Sequence, residues 1–439
     1  MYIDEIIRNK FYFFLDRMKS AVVIKNIQRL EDFYQLDKVA QINLIRKDWE
    51  TLRKEIVQNT GFYNEYSDKY QLNEFPVVNK ALIAKNVEDF YSKKYDKNEL
   101  VSVHTSGSYG TPLTYYLTRF KKKNQLVEVI YYGRKSGYDV GVRHGYFRSS
   151  PHKSNFKFWL QNETFFASKN LDEQFLVQGL KNLKKKKIKS LIGFPSAISY
   201  LAKYCINKGN NSTDFNVKGV ITSSENLTKN HREIITKAFN CPIHSRYSTE
   251  ELGVLGNEYD EDSGFVMNTC NYIIEVLALD SDKSVSIGEI GRVVVTDLHS
   301  NAMPLVRYET GDLAVLGSFL DEEKKWVSNL KTLSGRTVQI IYHTNGSALY
   351  PLYFDTIMDQ YNCFAQYQLI QLSAKDYAIK LVKNDNFNSE SFNSELFLQE
   401  FYNWLGREAD IKIDFVEDIE KLPSGKRPYI INKYKEFAI

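Results

Sequence analysis

The chain has 439 residues, long enough for one large domain plus a smaller one rather than a single core. Its 58 Lys and Arg against 54 Asp and Glu leave a net charge of +4, too small for this length to argue by itself for nucleic acid or an anionic membrane as partner. The four cysteines, Cys205, Cys241, Cys270 and Cys363, form no CxxC pair and no dense framework, which excludes a zinc ribbon and a disulfide-stapled fold and predicts reduced thiols.

Met1 to Arg17 carries Asp4, Glu5, Arg8 and Lys10 among its apolar residues, so it lacks the unbroken hydrophobic segment of a signal peptide. No later stretch reaches the roughly 20 apolar residues that a transmembrane segment needs, and a cytoplasmic protein is expected. Residues 1–90 read mainly as helices, for example Leu44 to Gln58. From Leu100 strands and helices alternate: Val101 to Val103, a helix near Lys121 to Lys135, Gly145 to Arg148, Ile188 to Ile192, a helix from Ala197 to Asn207, Val217 to Thr222, and a helix from Lys229 to Phe239. That alternation predicts parallel sheets covered by helices. The run Lys184 to Lys187 reads as a solvated helix end, and the 30 Tyr and 27 Phe are scattered as core residues are.

After Asn271 the pattern is all β, with Tyr272 to Ala278, Arg292 to Thr296 and Leu313 to Leu316, which suits an antiparallel, barrel-like piece. Beyond Arg336 a small α+β unit begins: strands at Ala365 to Leu372 and Tyr377 to Val382, a helix from Ser391 to Leu405, and a strand at Lys412 to Val416. The expected fold class is therefore α/β. A large N-terminal domain, residues 1–335, has parallel sheets sandwiched by helices plus a β-barrel-like part, and a small mobile α+β domain, residues 336–439, follows it.

The richest stretch is His104-Thr105-Ser106-Gly107-Ser108-Tyr109-Gly110-Thr111-Pro112, between two segments that read as strands. Glycines allow close backbone approach to a bulky anion, and Thr105, Ser106, Ser108 and Thr111 add hydroxyl donors to the main-chain N–H groups. It is neither a Gly-Lys-Ser/Thr nucleotide loop nor a GxGxxG turn, and taken alone it reads as a hairpin loop. Four further polar clusters, each expected in a turn, follow in fixed order. They are Arg246-Tyr247-Ser248-Thr249-Glu250-Glu251-Leu252-Gly253, Tyr308-Glu309-Thr310-Gly311-Asp312-Leu313, Ser334-Gly335-Arg336, and Leu422-Pro423-Ser424-Gly425-Lys426-Arg427.

Together these resemble the adenylate-forming acyl and aryl ligase superfamily, most closely its branch of phenylacetate-CoA ligase-like and CapK-type capsular polysaccharide biosynthesis proteins. The branch rests on Phe75 to Lys80, Gly193-Phe194-Pro195-Ser196-Ala197, Thr296-Asp297-Leu298, and Asn301 to Tyr308 leading into Thr310-Gly311-Asp312. The resemblance implies an enzyme that activates a small carboxylic acid with ATP and Mg²⁺ to an acyl-adenylate. The acyl group then passes to CoA, a carrier-protein thiol or a glycan amine in surface polysaccharide biosynthesis. It also implies roles by position. Thr105, Ser106, Gly107, Ser108, Gly110 and Thr111 would hold the β and γ phosphates, and Glu250 the metal. Either Arg246 or Tyr247, with Ser248 and Thr249 beside them, would meet adenine, Asp312 the ribose hydroxyls, and Arg336 the domain junction. Lys426 would bridge the carboxylate and the α-phosphate.

Singly, Glu250 reads as an exposed charge, Asp312 as the close of a turn with Gly311, Arg336 as a surface residue and Lys426 as part of a Pro-Ser-Gly turn; shared order and spacing reverse those readings. The chain departs from the family at Tyr109 and Leu113, where Thr and often Lys stand, and at Val338-Gln339, where an acidic hinge pair is common. Those departures keep a non-catalytic nucleotide-binding or scaffolding role as the alternative. No nucleic-acid partner is expected, and a homodimer is the default for a soluble oligomer.

Overall fold

The computed structural model describes the chain except for residues 1, 105–112, 152, 169–170, 261, 337–340, 350, 359, 362, 385–386, 390–391, 421–427 and 435–439. It divides into two units, Met1–Ser224 with Ile234–Leu333, and Glu225–Glu233 with Ser334–Ile439.

The first unit opens with helices α1 (Ile3–Met18), α2 (Val22–Gln35), α3 (Lys38–Asn59), α4 (Gly61–Asn64), α5 (Lys80–Lys85) and α6 (Val87–Phe90). In α3 the Asp37 carboxylate caps the first turn by accepting from Ala40 N, and Ile45, Trp49, Leu52 and Ile56 recur at helical spacing, so one stripe of the helix is buried. Strands β1 (Val101–His104) and β2 (Thr114–Leu117) pair antiparallel, with His104 opposite Thr114. The hydroxyl-rich residues 105–112 join them and lie outside the described residues.

Next come α7 (Arg119–Gly133), β3 (His144–Arg148), α8 (Asn155–Leu160), β4 (Glu163–Ala167), α9 (Glu173–Lys185), β5 (Ser190–Gly193), α10 (Pro195–Asn207), β6 (Gly219–Ser223), α11 (Lys229–Phe239) and β7 (Ile243–Thr249). Strands β4, β3, β5, β6 and β7 lie side by side and parallel, as the alternation predicts. The turn from β5 into α10 requires glycine: Gly193 has φ +139°, and a Cβ there would fall 2.3 Å from Phe147 O. Pro195 then starts the helix, where its missing N–H costs nothing.

The all-β stretch supplies β8 (Gly253–Glu258), β9 (Phe265–Met267), β10 (Tyr272–Leu277), β11 (Ile290–Asp297), β12 (Tyr308–Phe319) and β13 (Val327–Arg336). These antiparallel strands continue the parallel ones in a single 11-stranded sheet. Helices flank that sheet, and the core joins its apolar residues to those of α2, α3 and α7. Three clusters expected in turns instead lie on strands: Arg246 to Thr249 in β7, Tyr308 to Leu313 in β12 and Ser334 to Arg336 in β13. On β12 the polar cluster falls on a bulge, which turns individual side chains out of the regular ladder, and beside β7 the extra residue is Leu255 of the partner strand β8.

The second unit holds β14 (Ile341–Tyr342), β15 (Ala348–Leu349), α12 (Pro351–Met358), β16 (Phe364–Gln371), β17 (Asp376–Lys383), α13 (Ser394–Leu405), β18 (Asp410–Phe415) and β19 (Ile430–Asn432). Four strands form its sheet in the order β18, β17, β16, β19, and the α+β composition matches the expectation. Its own core gathers Phe354, Leu369, Ile379, Phe397 and Phe401.

Among the described residues no helix is long and apolar enough to cross a membrane. All four cysteines are free, and burial pushes the thiols of Cys205, Cys241 and Cys270 up to about 12, which keeps them protonated and unreactive.

At the sheet edge, burial alone would raise the pKa of Glu163, but hydrogen bonds and charge from His144 and Lys153 more than offset it and hold the carboxyl at about 2. A depressed carboxyl contributes stability above its unfolded pKa and loses it as pH falls through the folded one. Between pH 4.5 and 2 the urea midpoint should therefore fall more steeply for the wild type than for Glu163→Gln. Parallel acid limbs would show that this carboxylate contributes nothing.

Candidate functional site

The site is built on the ends of β7 and β12. On β11 and β12, Val294 pairs with Glu309 and Arg292 with Leu313, so Thr310, Gly311 and Asp312 together face Val293 alone. This wide bulge turns Asp312 out of the ladder, and Gly311 takes φ +80°, where a side chain would be strained. Thr310 Oγ1 fixes the bulge, donating to Val293 O at 3.3 Å and accepting from Asp312 N at 3.2 Å.

Across from it, the Tyr247 hydroxyl lies 2.8 Å from Asp312 Oδ2 and 3.1 Å from Thr310 Oγ1. Its one proton goes to the carboxylate, the shorter and charged acceptor. Tyr247 is buried, and burial together with the Asp312 charge keeps its phenol well above the usual tyrosine range, so it stays a donor. Asp312 is half-buried and accepts from the tyrosine through Oδ2.

A second set of hydroxyls links three of the motifs. Tyr115, on β2 just past residues 105–112, donates to Tyr308 Oη at 3.2 Å, and Tyr308 donates to Glu251 Oε1 at 3.3 Å. Thus the base of the hydroxyl-rich hairpin, the start of the Tyr308–Asp312 motif and the glutamate motif meet in the interior of one unit. From α7, Gln125 Nε2 donates to the carbonyls of Glu250 and Glu251 at 3.1 and 3.3 Å, holding the turn after β7. Thr249 Oγ1 caps the same turn by accepting from Leu252 N at 3.2 Å. Gly253 closes it at φ +120°, where a Cβ would fall 2.3 Å from Glu128 Oε2.

Of the residues singled out from sequence, Tyr247 and Asp312 are in contact. Ser248 is exposed, and Glu250 is exposed and 3.5 Å from Arg148 Nη2, a surface pair of little energetic weight. Arg246 points to the opposite face of the sheet from Tyr247. There it pairs in register with Asn257 on β8, and its electrostatic neighbours are Tyr146, Tyr138, Tyr259 and Glu128. Arg246 Nε and Nη2 and Asn257 Nδ2 are buried donors with no partner among the described residues. Arg336 ends β13 in the other unit. Thr105, Ser106, Gly107, Ser108, Gly110, Thr111 and Lys426 lie outside the described residues. The sequence reading missed Tyr115, Gln125, Tyr308 and Thr310. Only Tyr308 and Thr310 fell inside a motif, and nothing local marks Tyr115 or Gln125.

Comparison with known proteins bears on the fold. Residues 341–433 match the CapK C-terminal domain family. Protein CapK of Staphylococcus aureus is 24% identical over 419 residues, covering 93% of this chain and 88% of CapK. Among solved structures, 2-hydroxyisobutyryl-CoA ligase in the postadenylation state with 2-HIB-AMP superposes with TM-score 0.71 at 14% identity, covering 90% of both chains. ATP-bound MatB from Rhodopseudomonas palustris gives 0.54 at 16% identity, over 76% of this chain and 67% of MatB. Anthranilate CoA ligase AuaEII with anthranoyl-AMP gives 0.54 at 14% identity, over 76% and 66%.

Proposed function

We propose that this chain, which has a CapK-type C-terminal domain and the fold of the adenylate-forming CoA ligases, activates a small carboxylic acid with ATP to an acyl-adenylate and passes the acyl group to a thiol, CoA first. The observation that carries the reading is the Tyr247–Asp312 contact beside the Tyr115–Tyr308–Glu251 chain, because it gathers three separated motifs into one polar cluster. A carboxylate resists attack until its oxygen is turned into a leaving group, so the site has to align it with the α-phosphate and neutralise charge. In this reading Asp312 accepts both ribose hydroxyls, with Tyr247 orienting its carboxylate. Residues 105–112 give hydroxyl and N–H donors to the phosphates, and Lys426 on the small domain, residues 336–439, approaches the reacting oxygens. Arg336 lies at the start of that domain, where rotation between half-reactions would pivot. The large domain, residues 1–335, holds nucleotide and acid.

The position of Tyr247 bears on the glutamate. The family pattern Tyr-Gly-x-Thr-Glu sets the acid four residues after the tyrosine. Counted from Arg246 that acid is Glu250, and counted from Tyr247, the residue beside Asp312, it is Glu251. The geometry favours Tyr247 at adenine and Glu251 as the carboxylate that Mg²⁺ would meet when bound, its charge compensating the triphosphate. The three unpartnered donors of Arg246 and Asn257 favour an acid with acceptor oxygens at its far end, such as a hydroxy acid or a dicarboxylate. Capsular or surface polysaccharide synthesis is the process that the likeness to CapK supports, with a cytoplasmic enzyme.

Pyrophosphate exchange with a panel of hydroxy, aryl and dicarboxylic acids tests the reaction. Asp312→Ala should raise the KM for ATP by about 10- to 100-fold, the loss of charge-assisted hydrogen bonds. Glu251→Gln should cost more rate than Glu250→Gln; the reverse order would restore Glu250 to the metal. The altered residues Tyr109, Leu113 and Val338-Gln339 favour one second reading, a nucleotide-binding scaffold without turnover. Thermal stabilisation by ATP with no exchange on any acid would support that reading, and no response to nucleotide would overturn both.

A further inference from the structure

Helix α1 is held by the buried Glu5 and Asp16 together with Tyr12 and Phe13, which pack on the core, and it shows a separate apolar stripe to solvent. Glu5 and Asp16 are buried, Glu5 accepting from Tyr2 N, Arg143 N and Lys189, and Asp16 from Val23 N and Ile24 N. The remaining acid of α1, Asp4, holds Arg143 Nη2 at 2.8 Å. On the outer side, Ile3, Ile7, Phe11, Phe14 and Met18 are 78%, 61%, 55%, 56% and 70% exposed. Their spacing of four, four, three and four residues confines them to an arc of roughly 80° at about 100° per residue.

Helix α8 extends the ridge. The Arg8 guanidinium stacks 4.5 Å from the Trp159 ring and Nη1 donates to Leu160 O at 2.8 Å, while Phe156 and Trp159 themselves stay exposed. The exposed charges around the ridge are Lys10 and Arg17 on α1, Lys19 just beyond it and Lys157 on α8. A folded chain gains nothing from an apolar stripe held in water, and a stripe this continuous marks an interaction surface.

We propose that α1 and α8 form a docking face for an anionic lipid surface, with the apolar ridge at the boundary of headgroups and acyl chains and the basic rim against the headgroup charges. Charge complementarity selects this occupant. An isologous contact between two copies would bring one basic rim onto another with α1's acids already engaged within the fold, whereas a bilayer supplies the missing anions. Aromatic and aliphatic residues on one side with Lys and Arg beside them is the composition of a helix lying in the interface plane, and Trp159 sits where an interfacial tryptophan belongs. The small net charge of the whole chain does not oppose this, because attraction at a membrane is set within about a Debye length.

The test is sedimentation of the full chain with phosphatidylcholine vesicles, with and without phosphatidylglycerol. The expected result is binding to the anionic vesicles at least about tenfold stronger than to phosphatidylcholine alone, weakening as salt rises. The variant Phe11→Ser/Phe14→Ser should lose that binding about tenfold or more with its melting temperature unchanged, since both side chains are exposed. Ile287→Ser, an exposed apolar residue on a distant loop, should leave binding intact. The proposal is overturned if the wild type ignores anionic vesicles, if Phe11→Ser/Phe14→Ser binds like the wild type, or if the chain dimerises through this face without binding lipid.

Discussion

Lys121→Met should destabilise the protein by about 3–5 kcal/mol in urea unfolding at neutral pH, the cost of leaving a buried charge without its partner. Lys121 and Asp297 are both fully buried, with Nζ 2.6 Å from Asp297 Oδ2. The same ammonium donates to Tyr272 Oη at 3.0 Å and lies 4.7 Å from that ring's centre. Close by, Glu128 accepts from Val254 N at 2.8 Å and from Asn271 Nδ2 at 2.6 Å. Burial pushes both the Glu128 and the Asp297 carboxyls up, against the pull of Lys121. The network ties α7 to β8, β10 and β11, the strands behind the site. Because the penalty arises from an orphaned charge, Lys121→Met with Asp297→Leu should recover most of the loss. A single variant within about 0.5 kcal/mol of wild type would show the pair to be energetically idle.

The largest expected effect on activity is at Lys426. If the chain forms acyl-adenylates, Lys426→Ala should lower pyrophosphate exchange by about 10²- to 10³-fold, as for removal of a donor to a transition-state oxygen. The loss should fall on the rate at saturating ATP more than on the ATP KM, since the role assigned to it is at the reacting oxygens. Lys426→Arg should restore little, because a planar fork does not replace a compact ammonium that has to reach between two oxygens. Exchange unchanged in Lys426→Ala would remove this lysine from the mechanism while leaving the Asp312 prediction intact.

Much of the architecture is legible in the sequence. The helix expected at Ala197 to Asn207 is present and starts two residues earlier, at Pro195, and the alternation of apolar strands with amphipathic helices from residue 100 to 249 yields the parallel half of the sheet. What local pattern cannot supply is long-range pairing. The Asp312 motif looks like a turn because Gly311 and a short polar run mark turns, yet it is a bulge, and a bulge exists only relative to the partner strand. Tyr115 and Tyr308 are 193 positions apart, and Gln125 meets Glu250 across 125, so neither contact has a signature. Helix α1 shows the same limit in another form. Its amphipathic spacing is readable, but such a stripe ordinarily predicts the buried side, and here the buried side is fixed in part by Glu5, whose partners Arg143 and Lys189 lie 138 and 184 positions away.

The bulge on β12 carries a constraint on how this protein can change. Three residues stand where one would complete the ladder, a surplus of two, and an even surplus leaves the inward and outward sides of everything downstream unaltered. Leu313, Ala314 and Leu316 follow it, all fully buried. Removing or adding one residue between Thr310 and Asp312 would turn that run inside out, whereas exchanging side chains there would not. Ancestors and descendants of this chain can thus revise what the segment recognises more freely than they can revise its length.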